Sequence, residues 1–315
     1  MLRALDVTNY RSIASARVPL SPFTILVGAN GSGKSNLLRL LVDLCFQAPL
    51  TPHFNQPTSP SYVTIDAGSG PSRYIDGGFT NRMQPEELQR VRLFSIDATA
   101  IGGSERLVRD PEVQANGGGA VQVLDALKTG DREDLFDAIE AKLGELVPEI
   151  EKLSFTPGRQ SKRLQVRERH IQPPVAVSEL SEGTRLVLTI LTILLQERKP
   201  SIICLQDLDR GLHPALLQKV AQLCRALVQA EGGPQIIATT RNPYLVLDFM
   251  EHGESVLVVD KKDGATTFTP LHQRLRGAAS PVDHPALGGE TGLVSDPEPQ
   301  LPRLTEETPK VPGPA

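Results

Sequence analysis

The chain has 315 residues, with 33 Lys and Arg against 37 Asp and Glu and a net charge of −4. That length suits one large α/β domain or two modest ones. The acidic balance argues against a dedicated electrostatic clamp for nucleic acid, though not against a local basic patch.

Cys45, Cys204 and Cys224 stand in apolar stretches at no ligand-like spacing, and the six histidines form no metal pattern. The N-terminal stretch has no apolar leader core, and the longest apolar run, Leu186 to Leu195, is too short to span a bilayer. A soluble, cytoplasmic protein with reduced thiols is the expectation, with no membrane partner.

In chain order, Leu2 to Thr8 alternates apolar and polar residues and reads as a strand. Asn9 to Ser12 is a turn and Ile13 to Leu20 the returning strand. Thr24 to Val27 is a short β-branched, apolar run that reads as a buried strand.

It leads into Gly28-Ala29-Asn30-Gly31-Ser32-Gly33-Lys34-Ser35, which fills the phosphate-loop pattern G-x-x-x-x-G-K-[ST]. Asn36 to Leu41 reads as a helix starting inside the motif. The glycines let the backbone turn tightly and bring N–H groups toward phosphate oxygens. The helix start adds the positive end of its dipole. Lys34 reaches the β- and γ-phosphates as a point charge, and the Ser35 hydroxyl is a magnesium ligand.

Residues 47 to 61 are rich in Pro, Thr, Ser and Asn and read as a surface loop. Short strands with Gly turns follow to about Asp97, with a polar helical piece near Pro85 to Val91. Ser104 to Gly119 is a Gly-rich loop, expected to be mobile. Ala120 to Val147 carries apolar residues at helical spacing, divided at Gly130 into two helices.

Ile150 to Val177 reads as strand, turn, strand. Arg159, Lys162, Arg163, Arg167 and Arg169 gather there, either as a solvated basic hairpin or as a contact to a nucleic-acid backbone. An apolar helix, Arg185 to Glu197, then a strand, Ser201 to Leu205, a helix, Pro214 to Ala230, and strands at Gln235 to Thr239, Val256 to Val259 and Thr266 to Thr269 complete the pattern. Beyond about Gly277 the chain is rich in Pro, Gly and Glu, and residues 278–315 read as a disordered tail.

Taken together, "NYRS", "GANGSGKSNLL", "LSEGTRLVLTILTILL", "IICLQDLDRGLHPALL" and "IIATTRNPYLVLDF" resemble, in order and spacing, a known family. It is the ABC-type ATPase heads of the RecF-like, structural-maintenance-of-chromosomes and overcoming-lysogenisation-defect class. The resemblance spans Met1 to about Leu271. It implies an α/β P-loop NTPase with a mixed sheet, an antiparallel N-terminal flank and an inserted α+β lobe at about 47–175, all within one domain, 1–277. It implies ATP and Mg²⁺ as cofactors, two protomers pairing head to tail on ATP, and DNA-linked work such as repair, recombination or phage defence. Any effector is then a separate chain. A hydrolysis-poor, ATP-gated scaffold and a transporter energy subunit are the alternatives.

The resemblance also assigns residues. Gly28 to Asn36 bind nucleotide, with Arg11 of the opening turn. Leu180 to Thr184 look like the signature motif, whose Ser181 and Gly183 meet the γ-phosphate held by a second protomer. His213 falls at the end of the D-loop. Gln206 and Asp207 fall on the acidic pair after the Walker B strand, and Arg241 on the switch histidine.

All three of these last positions depart from the usual pattern. Gln206 offers Mg²⁺ an uncharged amide oxygen, and Asp207 is one methylene shorter than the usual water-positioning glutamate. Arg241 carries a permanent charge. An intact binding half beside an altered catalytic half leads us to expect ATP binding with slow or altered hydrolysis, the alternative being a tolerated family variant with normal turnover.

Overall fold

The structure, a computed structural model, describes residues 1–68, 70–75, 77–80, 84–102, 105–106, 108–157, 161–242, 245–246 and 255–274. Arg159 and the expected disordered tail, 278–315, lie outside the described residues, as do Ser104 and Leu107 of the expected mobile loop.

Two long strands, β1 (Leu2–Tyr10) and β2 (Ile13–Pro19), form an antiparallel hairpin. On its other edge β1 pairs antiparallel with β4 (Tyr62–Ala67), which continues into β5 (Gly70–Ile75) and β6 (Gly78–Phe79). The order of this sheet is β2-β1-β4-β5-β6.

The central sheet begins with β3 (Phe23–Val27), every residue of which is buried. Its other members are β7 (Val91–Phe94), β12 (Ile202–Leu205), β13 (Gln235–Thr240), β14 (Ser255–Lys262) and β15 (Ala265–Pro270). The order is β15-β14-β3-β13-β12-β7, all neighbours parallel except the β14–β15 hairpin. A third, small sheet joins β8 (Glu105–Arg106), β9 (Ile150–Pro157), β10 (Ser161–Glu168) and β11 (Val175–Ala176). Residues 47–175 therefore feed all three sheets: β4 to β6 extend the N-terminal flank and β7 closes the central edge. Which neighbour a strand chooses is decided by tertiary packing rather than by its own sequence pattern.

The central strands are apolar on both faces, as parallel strands covered on both sides must be. Leu26, Ile237, Cys204, Leu257 and Val259 face one core with helix α1 (Lys34–Cys45), whose Leu37, Leu38, Leu40, Leu41 and Leu44 are buried there beneath the N-terminal sheet. Ile25, Val27, Ile203, Leu205, Ile236 and Ala238 face the other. That side is covered by α2 (Ala120–Thr129), α3 (Glu133–Leu146), α4 (Glu182–Leu195) and α5 (Pro214–Gln229). Burying each leucine of α1 stabilises by roughly 1.5–3 kcal/mol, so its first turn is held firmly against the sheet edge.

Cys204 and Cys224 are buried free thiols, and burial pushes the Cys224 thiol up to about 12, so both act as small apolar residues. Cys45 is half-buried.

Candidate functional site

The site is built where β3, β13 and β12 end side by side. In the parallel register Thr240 lies level with Val27, the residue before Gly28, and Leu205 lies level with Ala238. The phosphate loop, the turn after β12 and the turn after β13 therefore leave the same edge, with Arg241 between the other two.

Gly33 caps α1 in the left-handed region, φ 111°, and the helix start has no side-chain cap. Its first N–H groups are thus presented to whatever enters the loop. Ala29, Asn30, Gly31 and Ser35 are exposed, which leaves the cradle open. Lys34 is buried and folded back on the loop, its Nζ donating to Gly28 O at 2.6 Å and Ala29 O at 2.8 Å. Burial lowers its pKa, Asp207 pulls it up, Arg241 lowers it and Asp209 raises it, so these four charges share one small space.

The loop is strapped from behind by residues far away in sequence. Thr266 Oγ1 donates to Ser32 O at 2.8 Å and shares a 2.7 Å hydrogen bond with Ser12 Oγ, to which Asn36 Nδ2 donates at 2.6 Å. A hydroxyl has one proton, so the chain runs one way: Asn36 to Ser12, Ser12 to Thr266, Thr266 to the loop carbonyl. A Cβ on Gly33 would overlap Thr266, and one on Gly28 would overlap the Val259 carbonyl. Sequence reasoning missed Thr266, for no local pattern marks it. Asn36, expected to bind nucleotide, anchors this strap. Ser32 Oγ is buried and has no hydrogen-bond partner among the described residues.

Arg11 stands in the turn of the first hairpin with φ 48°. Its Nε donates to Tyr10 OH at 2.9 Å, and Tyr10 OH donates to Asp43 Oδ2 of α1 at 2.6 Å. Burial, then the bond to Asp43, raises the Tyr10 pKa, which keeps the phenol protonated as the donor. Arg11 is thereby tied to the phosphate-loop helix.

After β12, Gln206 donates its backbone N–H to Phe94 O at 2.8 Å. Asp207 takes a left-handed conformation, φ 51°, with its N–H on Thr239 Oγ1 at 2.8 Å. Aspartate visits this region more readily than longer or branched residues. The Asp207 carboxylate pairs with Arg241, Nη2 to Oδ2 3.5 Å, with side-chain exposures of 22 % and 51 %. Asp209 Oδ2 accepts the Arg241 N–H at 3.3 Å, and its Oδ1 is buried without a partner. A half-exposed pair at this distance is worth about 0–1 kcal/mol, whereas a hydrogen bond from a guanidinium to a charged acceptor is worth about 1.5–3 kcal/mol. Arg241 can therefore leave Asp207 for a phosphate at little cost.

The residues expected to form the signature motif, Ser181 and Gly183, sit at the start of α4. Ser181 caps α4, its Oγ accepting the Thr184 N–H at 3.2 Å and lying 2.8 Å from Thr184 Oγ1, so its bonds close within its own turn. Gly183 packs on the Gly211 carbonyl, where a Cβ would come to 3.2 Å. His213 caps α5, with Nδ1 accepting the Ala215 N–H at 3.4 Å. In the basic hairpin, Lys162 is already paired with Asp125 at 2.7 Å and is not a free phosphate contact; Arg163 and Arg167 follow it along β10.

A strand, a glycine loop and an uncapped helix carrying Lys34 on the edge of a mixed α/β sheet make this a P-loop NTPase fold. Residues 1–68 match a family described as "AAA ATPase domain", and residues 121–248 one described as "AAA domain, putative AbiEii toxin, Type IV TA system". The chain is similar in structure to the SMC head domain from Thermotoga maritima, with a TM-score of 0.50 and 15% identity, over 85% of this chain and 98% of that one. It is likewise similar to the Smc head domain with a coiled coil and joint derived from Pyrococcus yayanosii, with a TM-score of 0.55 and 11% identity, over 85% and 96%. No curated protein sequence matches. The two AAA family models each match part of the chain, the fold is that of SMC head domains, and together they support nucleotide binding in general. Among the described residues no helix is long and apolar enough to cross a membrane.

Proposed function

We propose that the chain binds ATP in the loop Gly28 to Asn36 and that two copies pair head to tail over two ATP molecules. The observation that carries the binding reading is the uncapped start of α1, with Lys34 folded onto its own loop carbonyls. Those two carbonyls hold an ammonium that an incoming β/γ-phosphate binds more strongly. The pairing follows from the resemblance to ABC-type heads. It is supported by a second helix start, at Ser181, which is exposed and whose hydroxyl, among the described residues, bonds within its own turn. Ser181 and the N–H groups of Gly183 and Thr184 then meet the γ-phosphate on the other copy.

Ser35, which is exposed at the loop, and Gln206 and Asp207, on the turn after β12, would hold a magnesium ion, Asp207 as the charged ligand. When bound, it would supply positive charge against the phosphates. Asp207 orients the attacking water, from a short stem. Arg241, leaving Asp207, holds the γ-phosphate. Hydrolysis by this set is slow. The pairing of Asp207 with Arg241 favours a second reading, an ATP-gated scaffold that closes on ATP and passes the closure to a separate effector. A DNA-linked role rests on the resemblance and on Arg163 and Arg167 alone.

Sedimentation of the full chain with and without a non-hydrolysable ATP analogue tests the pairing. A monomer that doubles in mass with the analogue is expected, and Ser181→Arg should stay monomeric while still binding nucleotide. A wild-type monomer under both conditions would remove the sandwich.

A further inference from the structure

One residue of β15 holds the phosphate loop from inside the fold. Thr266 is 1% exposed. Its backbone N–H donates to Ser12 O at 2.6 Å, and its hydroxyl donates to Ser32 O of the loop at 2.8 Å. Its Oγ1 takes the proton of the Ser12 hydroxyl at 2.7 Å. Asn36 of α1 donates to Ser12 Oγ at 2.6 Å, which leaves Ser12 its own proton for Thr266, and leaves the proton of Thr266 for the loop. The side chain of Thr266 also fills the space beside Gly33, where a Cβ would overlap both its Oγ1 and its Cγ2.

The direction of the Ser32 carbonyl decides what the loop offers on its other side. The peptide between Ser32 and Gly33 is trans, so its C=O and N–H point in opposite directions. With the carbonyl drawn inward to buried Thr266, the Gly33 N–H faces outward, on the side where Ala29, Asn30, Gly31 and Ser35 are exposed. Among the described residues this N–H meets no acceptor. It stands immediately before the first N–H groups of α1 and adds to the same positive end. Were the peptide turned over, the same spot would present a carbonyl oxygen, which repels a phosphate.

We propose that Thr266 is a positioning residue for the triphosphate: its hydroxyl fixes the Ser32–Gly33 peptide so that the Gly33 N–H is aimed at a phosphate oxygen before nucleotide arrives. The inference rests on the nucleotide-binding reading above and adds the residue that orients the loop. Thr266 acts through Gly33 and touches no phosphate itself. A donor already turned to its acceptor binds without the cost of reorienting.

The test is equilibrium binding of a fluorescent ATP analogue to the full chain, with displacement by ATP and by inorganic triphosphate, at a temperature where thermal melts show every variant folded. Thr266→Val keeps the branched shape and removes the hydroxyl. It should weaken both competitors by the same factor, about tenfold or more, because the loss falls at the phosphates and not at the base. Thr266→Ser keeps the hydroxyl and should bind within about threefold of wild type. In the wild-type chain the Gly33 amide resonance should move downfield as inorganic triphosphate is added, a readout that depends on no variant folding. Thr266→Val binding as tightly as wild type, Thr266→Ser as weak as Thr266→Val, a loss confined to ATP, or a Gly33 resonance that stays in place while triphosphate binds would each overturn the inference and leave nucleotide binding intact. Wild-type protein that binds neither ATP nor inorganic triphosphate would overturn the nucleotide reading itself.

Discussion

Lys34→Ala is expected to weaken ATP binding by about 100-fold or more. The ammonium is buried at the foot of the loop and satisfied in the resting structure by two carbonyls, Gly28 O and Ala29 O. With phosphates present it is the cation placed to enter between the β- and γ-groups. Alanine is a good helix former and the five leucines of α1 hold the helix in place, so the loss falls on binding rather than on folding. Equilibrium titration with a fluorescent ATP analogue, beside a thermal melt, reads both. An affinity unchanged by the substitution would remove the phosphate-loop assignment.

The second large effect is on turnover. Asp207→Asn should lower ATP hydrolysis about 100-fold, the usual cost of losing a positioned base or charge at the reacting centre. Asparagine tolerates the left-handed backbone as aspartate does, so φ 51° at this position is kept and the change is confined to charge. Gln206→Asp should work the other way, raising turnover in Mg²⁺ by returning a charged metal ligand, without tightening binding. Single-turnover measurements at saturating ATP separate the two. If Asp207→Asn hydrolyses ATP as fast as wild type, Asp209, whose Oδ1 is buried and unpartnered, becomes the candidate in its place.

The conformation of Asp207 also gives a physical reason for aspartate here. A longer side chain at a positive φ costs more, and the Thr239 hydroxyl fixes the backbone by taking the Asp207 N–H. The sequence displays the substitution; only the fold displays the strained turn that accompanies it.

What the sequence could reveal was what is encoded locally. The phosphate loop, the apolar strands beside it, the Ser181 cap and the split between α2 and α3 at Gly130 all depend on residues within a few positions of one another. Long-range choices were not legible. Thr266 reaches Ser32 across 234 positions, and Arg241 meets Asp207 across 34. Lys162 looked like a free cation in a basic run until Asp125, 37 positions earlier, was found against it. The strands at 62–79 and 91–94 carry ordinary strand patterns. Their allocation to the N-terminal and central sheets follows from which apolar faces needed covering, which no short window records.

The central claim, one triphosphate shared between the phosphate loop of one copy and the Ser181 turn of another, is tested most directly by mixing two defective variants. Lys34→Ala loses the loop half of each site and Ser181→Arg the signature half. Neither should dimerise with a non-hydrolysable ATP analogue on its own. Mixed together, they form a heterodimer with one intact composite site, so sedimentation of the mixture with the analogue should show dimers absent from either variant alone. A mixture that stays monomeric while wild type dimerises, or a single variant that dimerises by itself, would contradict the account.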